Sequence, residues 1–157
     1  MPSVTIYTDG SALGNPGPGG YGVVLLAPPN HRRELSGGFR LTTNNRMELM
    51  AVCVALEALR VDGCEVTVYS DSKYVVDAIT QGWLFGWERK RFKDKKNPDL
   101  WIRFLAVYRR HRVRFVWVKG HNGTPGNERC DALAVAAAQG AQLAEDSGYA
   151  PSSELSD

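Results

Sequence analysis

The chain has 157 residues, of which 43% are hydrophobic, so it is long enough to bury the core of one ordinary domain. No segment approaches the roughly 18 uninterrupted apolar residues of a membrane span, and the start, MPSVTIYTDG, lacks the features of a signal peptide. The three cysteines, Cys53, Cys64 and Cys130, show no C-x-x-C spacing, which argues against zinc and suits a reducing compartment. We therefore expect a cytoplasmic protein without membrane contact.

The net charge of +2 is distributed unevenly along the chain. Residues 88–119 contain 12 of the 19 Lys and Arg residues and only 3 acidic residues, a local net charge of +9. Trp87, Phe92 and Trp101 lie beside or among these cations. Phosphate attraction and ring stacking can act together in such a segment, which favours a nucleic-acid surface. A solvated helical face is the alternative.

The first half of the chain predicts an antiparallel meander. Residues 3–9 alternate apolar and polar side chains and end at an Asp-Gly pair, as a strand running into a turn does. Segment 14–20 is too rich in Gly and Pro for a regular element, and it lacks the Gly-Lys-Ser/Thr ending of a phosphate-binding loop. An apolar strand at 21–27 and a more exposed strand at 31–40 follow, separated by a Pro-Pro-Asn turn.

The second half alternates helices and strands. Several candidate N-caps within 42–45 precede a helix at 46–60, which is apolar nearly all round and should pack deep against the sheet. The further predicted elements are a strand at 64–70, a helix at 72–80, a helix at 99–110, a strand at 112–118 and an alanine-rich helix at 127–143. This alternation implies right-handed crossovers and parallel strands.

The predicted fold class is therefore α/β. We expect a five-stranded mixed sheet, an antiparallel meander plus parallel strands, flanked by helices. Residues 1–144 should form a single domain. Residues 145–157 are polar and aperiodic, and they predict a flexible C-terminal tail.

Four acidic residues stand where elements begin or end. Asp9 ends the first predicted strand, Asp71 follows another, and Glu48 and Asp131 lie near the starts of predicted helices. Strands of such a sheet deliver their carboxyl ends to one crevice, so the four carboxylates are candidates for one site. Oxygen ligands without a Cys or His cluster favour Mg²⁺ or Mn²⁺. Two such ions about 4 Å apart are a known solution for phosphodiester cleavage.

Each acid also has a purely structural explanation. Asp9 could belong to a turn, Glu48 to a capping box that begins at Asn45, Asp71 to an N-cap, and Asp131 to a helix dipole. Glu48 favours the metal site, because it is charged inside an apolar stretch where an unpaired carboxylate is costly. His121 lies in a Gly-rich loop before the helix of Asp131. Its usual pKa suits proton transfer at neutral pH, although most loop histidines are surface residues.

Long motifs then resemble a known family. The segments TDGSALGNPGPGGYG, TTNNRMELMAVCVALEAL, SDSKYVVDAIT, DLW and WVKGHNGTPGNERCDALA are similar to those of bacterial type 1 ribonuclease H over residues 3–140. The resemblance implies an endonuclease that uses Mg²⁺ or Mn²⁺ to hydrolyse the RNA strand of RNA–DNA hybrids. It also implies products with 5′-phosphate and 3′-hydroxyl ends.

The resemblance also assigns roles residue by residue. It implies metal binding by Asp9, Glu48, Asp71 and Asp131, and a part in proton transfer or product release for His121. Contacts to RNA 2′-hydroxyls are implied for Gly10, Asn44 and Asn45. Contacts to the DNA strand are implied for Asn15, Thr43 and Trp83, and the basic segment that includes Arg89, Lys90 and Arg91 matches a substrate-binding protrusion.

Three positions depart from the family pattern. Ser72 stands where a Gln often helps to read the RNA strand, Gly82 resembles an insertion before Trp83, and Glu88 replaces a common Lys. We expect these departures to alter the affinity for the hybrid.

The alternative functions are a hybrid-binding module without activity and a DNA-cutting or strand-transferring relative. No additional apolar surface element is evident, so we expect a monomer.

Overall fold

A five-stranded sheet with strand order β3-β2-β1-β4-β5 forms the centre of the computed structural model, which describes residues 2–120 and 124–149. The strands are β1 (Ser3–Ala12), β2 (Gly17–Ala27), β3 (His31–Thr42), β4 (Glu65–Ser70) and β5 (Arg112–Trp117). Neighbours β1, β2 and β3 pair antiparallel, whereas β4 pairs parallel with both β1 and β5. The predicted meander joined to parallel strands is therefore confirmed.

Five helices accompany this sheet within the described residues. They are α1 (Asn44–Glu57), α2 (Lys73–Thr80), α3 (Trp83–Arg89), α4 (Pro98–Tyr108) and α5 (Pro125–Ala138). The helix α3 was not predicted. Helix α5 begins two residues before the predicted start at 127 and ends at Ala138, with Gln139 as its C-cap, rather than at residue 143. None of the helices in the described part of the chain is long and apolar enough to cross a lipid bilayer.

Helix α1 packs on one face of the sheet and forms the centre of the core. Thr43 is its N-cap, with a side-chain oxygen that accepts a hydrogen bond from the backbone N–H of Arg46 at 3.2 Å. Nine of its residues are buried, as the apolar sequence predicted. Trp101 and Phe104 of α4 are fully buried beside it and meet edge to face, with ring centroids 5.9 Å apart.

Helix α5 covers the opposite face. Successive residues of a strand point to opposite faces, and in β2 Gly19 lies against Met47 of α1 whereas Gly20 lies against Ala134 of α5. A Cβ atom on Gly22 would lie 2.2 Å from the carbonyl oxygen of Cys130. Glycines in the strand therefore let α5 approach the sheet at backbone distance.

The chain beyond α5 returns to the edge of the sheet. Ala144 forms a bridge with Phe39 of β3, and Asp146 forms an ion pair of 2.7 Å with the buried guanidinium of Arg46. Residues 144–149 thus contact β3 and α1, which the polar sequence of this segment did not indicate. Residues 150–157, the remainder of the predicted tail, lie outside the described residues. The boundary at 144 stays a prediction.

Candidate active site

Three of the predicted acids meet at one edge of the sheet. Tyr7 of β1 pairs with Tyr69 of the parallel strand β4, so Asp9, two residues later within β1, lies near Asp71, which directly follows β4. Glu48 reaches the same point from α1. One carboxylate oxygen from each of Asp9, Glu48 and Asp71 lies within 4.8 Å of the other two.

The local backbone explains why Glu48 can approach. A Cβ atom on Gly10 would lie 2.3 Å from the backbone nitrogen of Glu48 and 2.3 Å from the carbonyl carbon of Met47. Only glycine permits this contact between β1 and α1. Strand β1 continues through Ala12, so the predicted turn at Asp9-Gly10 is wrong, and the pair is part of the sheet.

The structure also contradicts the helix-capping roles that were considered for Asp71 and Glu48. Ser72, rather than Asp71, is the N-cap of α2, and its hydroxyl oxygen accepts from the N–H of Val75 at 3.2 Å. The N-cap of α1 is Thr43, not Asn45. Neither Asp71 nor Glu48 is therefore occupied in capping its helix.

The three acids are close and poorly solvated. Burial, and then the negative charge of Asp71, raises the pKa of Asp9 to about 8. Burial, and then the charge of Asp9, raises the pKa of Glu48 well above its usual value. Oε1 of Glu48 and Oδ1 of Asp71 are buried without a hydrogen-bond partner in the described structure. Such a set of oxygen atoms fits a hard divalent cation, which would supply both the missing ligand and the missing positive charge.

Asp131 joins the site from α5. It lies in the second turn of the helix, six residues after Pro125, and its charge and a hydrogen bond also raise the pKa of Asp9. Asp131 is outside the group of three close carboxylates. It lines a cavity of about 280 Å³ together with Asp9 and Asp71. The described residues around this cavity are Asp9, Asp71, Lys119, Thr124, Asn127, Glu128 and Asp131. His121 lies outside the described residues.

Four of these cavity residues were not predicted from the sequence, namely Lys119, Thr124, Asn127 and Glu128. Lys119 brings a positive charge to the cavity. Asn127 donates a long hydrogen bond of 3.5 Å to the carbonyl of Tyr69, and its Oδ1 atom is buried without a partner within the described part of the chain. Lys119 and Asn127 stand in the segment that resembles the family, but a lone Lys or Asn gives no signal that distinguishes it from a surface residue.

Four of the residues predicted to contact RNA or DNA lie together at or near the start of α1, namely Asn15, Thr43, Asn44 and Asn45. Asn44 accepts a hydrogen bond from the N–H of Ala12 at 2.7 Å, and its own N–H donates to Oδ1 of Asn15 at 3.0 Å. Asn45 and Thr43 flank it at the start of α1. These hydrogen bonds hold β1, the loop that contains Asn15 and the start of α1 in fixed positions relative to one another before any ligand binds.

The predicted protrusion lies farther along the chain. Trp83 begins α3 with 52% of its surface exposed, and Arg89, Lys90 and Arg91 are exposed at the end of that helix. Gly82 precedes α3 with φ of 78°, a left-handed conformation that explains the break after α2.

Two of the family departures have local partners. Glu88 makes two hydrogen bonds, of 2.6 and 2.7 Å, to the guanidinium of Arg109 on α4. Ser72 is only 7% exposed and is engaged in capping α2. The substrate-binding roles of this set stay predictions.

Comparison with known proteins decides the family. A family model described as RNase H matches residues 1–139. The chain is 57% identical over 151 residues to a ribonuclease H from Rippkaea orientalis, and the match covers 93% of this chain and 91% of that relative. The chain belongs to the ribonuclease H family. A ribonuclease H from Aeromonas hydrophila is 53% identical over 156 residues, covering 96% of this chain and 99% of the relative.

Solved structures of ribonucleases H share the fold. LC9-RNase H1, described as a type 1 RNase H with the type 2 active-site motif, has a TM-score of 0.83 at 35% identity and covers 90% of this chain and 74% of that chain. LC11-RNase H1 in complex with an RNA/DNA hybrid has a TM-score of 0.66 at 28% identity, covering 87% and 96%. The predicted ribonuclease H fold and the predicted family are confirmed.

Membership makes the chain an endoribonuclease, as predicted. Ribonucleases H cleave RNA in RNA–DNA hybrids and depend on divalent metal ions. The cluster of Asp9, Glu48 and Asp71 could bind such an ion.

Proposed function

We propose that this ribonuclease H cleaves the RNA strand of hybrids by two-metal-ion catalysis, with 5′-phosphate and 3′-hydroxyl ends as products. The main support for the proposal is the set of three carboxylates whose oxygens lie within 4.8 Å of one another. Two of these carboxylates have a buried oxygen without a hydrogen-bond partner among the residues that the structure describes. Bound Mg²⁺, or Mn²⁺, would activate water and stabilise the leaving oxygen. Asp9, Glu48, Asp71 and Asp131 would hold the ions.

The rest of the site would orient the hybrid. Gly10, Asn44 and Asn45 lie next to the acids, where an RNA strand would present its 2′-hydroxyls. Asn15 and Thr43 would contact the DNA strand, and the fixed bond between Asn15 and Asn44 would keep the two sets of contacts in register.

The protrusion would extend the binding surface. Trp83 would pack on deoxyribose, and Arg89, Lys90 and Arg91 would attract phosphates. Ser72 remains in the proposed substrate surface, but its hydroxyl is already bonded to the N–H of Val75, so its contribution would be small.

The enzyme would act as a cytoplasmic monomer. The large exposed apolar side chains in the described residues belong to separate elements and do not define one extended interface. The three free, buried cysteines agree with a reducing compartment. Light scattering at micromolar concentration should give the mass of one chain.

A cleavage assay tests the proposal. Labelled RNA–DNA hybrid, double-stranded RNA and double-stranded DNA are incubated with the protein and Mg²⁺, beside the Asp9→Asn variant. We expect cutting of the hybrid alone, loss of activity in Asp9→Asn and on chelation of the metal, and fragments that ligase can rejoin. Hybrid cutting that survives either Asp9→Asn or chelation would contradict the metal mechanism, and fragments without a 5′-phosphate would contradict the proposed ends.

His121 is proposed to assist proton transfer or product release. In His121→Ala we expect kcat to fall by about 100-fold, the usual size of an acid–base contribution, while the dissociation constant for the hybrid changes little. Steady-state kinetics and fluorescence anisotropy measure the two quantities, and single-turnover kinetics separates proton transfer from product release. A wild-type rate in this variant would remove His121 from the mechanism.

A further inference from the structure

Trp117 ends β5 beside one of the proposed metal ligands. Strand β5 is parallel to β4, with Trp117 opposite Ser70, and the N–H of Val118 donates to the carbonyl of Ser70 at 2.9 Å. This register brings the indole to the residue that follows β4. Its Nε1–H donates a hydrogen bond of 3.1 Å to the main-chain carbonyl of Asp71.

Asp71 needs such a support because of where it lies. It stands between β4 and α2, outside both elements, where no strand or helix ladder holds its carbonyl. The carboxylate is not held at Oδ1, which is buried and has no hydrogen-bond partner in the described structure. Oδ2 lies against Gly120, where an added Cβ would be 3.0 Å away. Any shift of the Asp71 main chain would therefore move its carboxylate as well.

The indole itself is not placed by burial. Trp117 is 43% exposed, which is unusual for so large an apolar side chain. Its ring is instead covered by Lys73, whose Nζ atom lies 4.8 Å from the ring centroid. Lys73 is in the first turn of α2, two residues after Asp71 in the chain. Trp117 thus contacts the segment around Asp71 twice. Lys73 lies over its ring, and its N–H donates to the carbonyl of Asp71.

We infer that Trp117 is a positioning residue for metal binding, which acts by holding the main-chain carbonyl of Asp71. The inference rests on the proposed function, in which the Asp71 carboxylate is a ligand of the divalent ion. Loss of one neutral hydrogen bond costs about 0.5–1.5 kcal/mol, which corresponds to a roughly 2- to 12-fold change in an equilibrium constant.

The Trp117→Phe variant tests this role, because it removes the N–H and keeps an aromatic ring under Lys73. We expect the Mg²⁺ dissociation constant, measured by isothermal titration calorimetry without hybrid, to rise by about 3- to 10-fold. The Mg²⁺ concentration for half-maximal cleavage should rise by the same factor, and kcat should recover at saturating Mg²⁺. The affinity for hybrid without metal should stay at the wild-type value.

Two controls separate this role from a general loss of structure. Lys73→Met removes the cation over the ring but retains the N–H, and we expect its Mg²⁺ affinity to stay within about 2-fold of wild type. If Trp117→Phe lowers the melting temperature, benzothienylalanine introduced at position 117 by nonsense suppression replaces only the N–H by sulfur. It should reproduce the weaker Mg²⁺ binding at wild-type stability.

Wild-type Mg²⁺ affinity in Trp117→Phe would overturn the inference, as would a loss of kcat that saturating Mg²⁺ does not restore. Asp71→Asn, measured in parallel, distinguishes failure of this inference from failure of the proposed function. If Asp71→Asn binds Mg²⁺ as tightly as wild type, the proposed metal site itself is wrong. If Asp71→Asn loses Mg²⁺ and Trp117→Phe does not, only the role of Trp117 is wrong.

Discussion

At the scale of single residues, the acids of the site oppose the stability of the metal-free protein. Asp9 and Glu48 hold protons to higher pH in the fold than in an unfolded chain, where acidic side chains titrate near pH 4. Between about pH 4 and pH 8 the native state therefore binds more protons than the unfolded state. Its stability falls as the pH rises through this window, and a divalent cation offsets the loss.

The Asp9→Asn variant tests whether the buried acids destabilise the metal-free protein. At pH 8 without metal, we expect the variant to be more stable than wild type by about 1–3 kcal/mol, because one pKa unit corresponds to about 1.4 kcal/mol and water that enters the site reduces the full effect. The difference should shrink towards pH 5, where Asp9 is protonated in the wild type, and saturating Mg²⁺ should diminish or reverse it. Thermal unfolding with and without chelator measures both. A variant that is less stable than wild type at pH 8 without metal would contradict the predicted repulsion.

Some features of these active-site residues could be predicted from the sequence, and others could not. Asp9 and Asp71 could be predicted because Asp9 ends and Asp71 follows a recognisable strand pattern, and Glu48 because its charge interrupts an apolar helix. The hydrogen bond from Trp117 to Asp71 could not be predicted, because it depends on the register of β4 against β5. Nor could the capping role of Ser72 be separated from that of Asp71, since both residue types favour N-caps.

At the scale of elements, Arg46 joins three parts of the chain. Its buried guanidinium, at the start of α1, contacts Asp99 of α4 and Asp146 of the C-terminal segment, at 2.7 Å in each case. Asn97 adds a further hydrogen bond of 3.1 Å. Because Glu48 lies two residues after Arg46, this ion cluster also fixes the end of α1 that enters the active site.

We expect Asp146→Ala to destabilise the protein by about 2–4 kcal/mol, because it leaves a buried cation with fewer partners. Asp62→Ala is the matched control. It breaks an ion pair with Arg110 in which both side chains are more than half exposed, and it should cost about 1 kcal/mol or less. Urea unfolding at pH 7 compares the two variants. Equal midpoints would show that the C-terminal segment does not support α1.

Elements with a strong local pattern could be predicted and those fixed by distant partners could not. Strand alternation in β1 and the apolar run of α1 are local signals, and both elements are present. The short helix α3 follows a left-handed Gly82 and contains glycine and aromatic residues, which have low helix propensity. The segment 144–149 is polar, and its position comes from contacts with Phe39 of β3 and Arg46 of α1, both about 100 residues earlier in the chain.

At the scale of the whole molecule, charge is separated. The acids converge on the catalytic cavity, whereas exposed cations occupy the end of α3 and the loop that follows it. A hybrid that spans both regions would place phosphates near the cations while its scissile bond lies at the acids. Association should therefore depend strongly on salt.

We expect Arg89→Ala and Arg91→Ala each to reduce the slope of log affinity against log salt concentration by about 1, since each removes about one phosphate contact. Arg60→Ala is the control, because this exposed arginine follows α1 and lies outside the basic segment. Fluorescence anisotropy over a salt series, without metal, gives the slopes. Slopes equal to wild type for both variants would exclude these arginines from the hybrid interface.

The overall topology followed from the sequence because the change from meander to alternating helices and strands leaves few permitted connections. The substrate did not follow from composition, since a basic segment with aromatic residues suits many nucleic acids. Only the long motifs that match the ribonuclease H family narrowed the substrate to RNA–DNA hybrids.

The glycines beneath α5 have a consequence for how the enzyme can lose activity. The buried residues of α5 are Cys130, Ala134 and Ala138, so this helix removes little apolar area from water and depends on close backbone approach. Regions with few buried apolar contacts are the first to open locally. Because α5 carries Asp131, its detachment would dismantle the cavity while the sheet and α1 remain folded. Inactivation and unfolding would then be separate events.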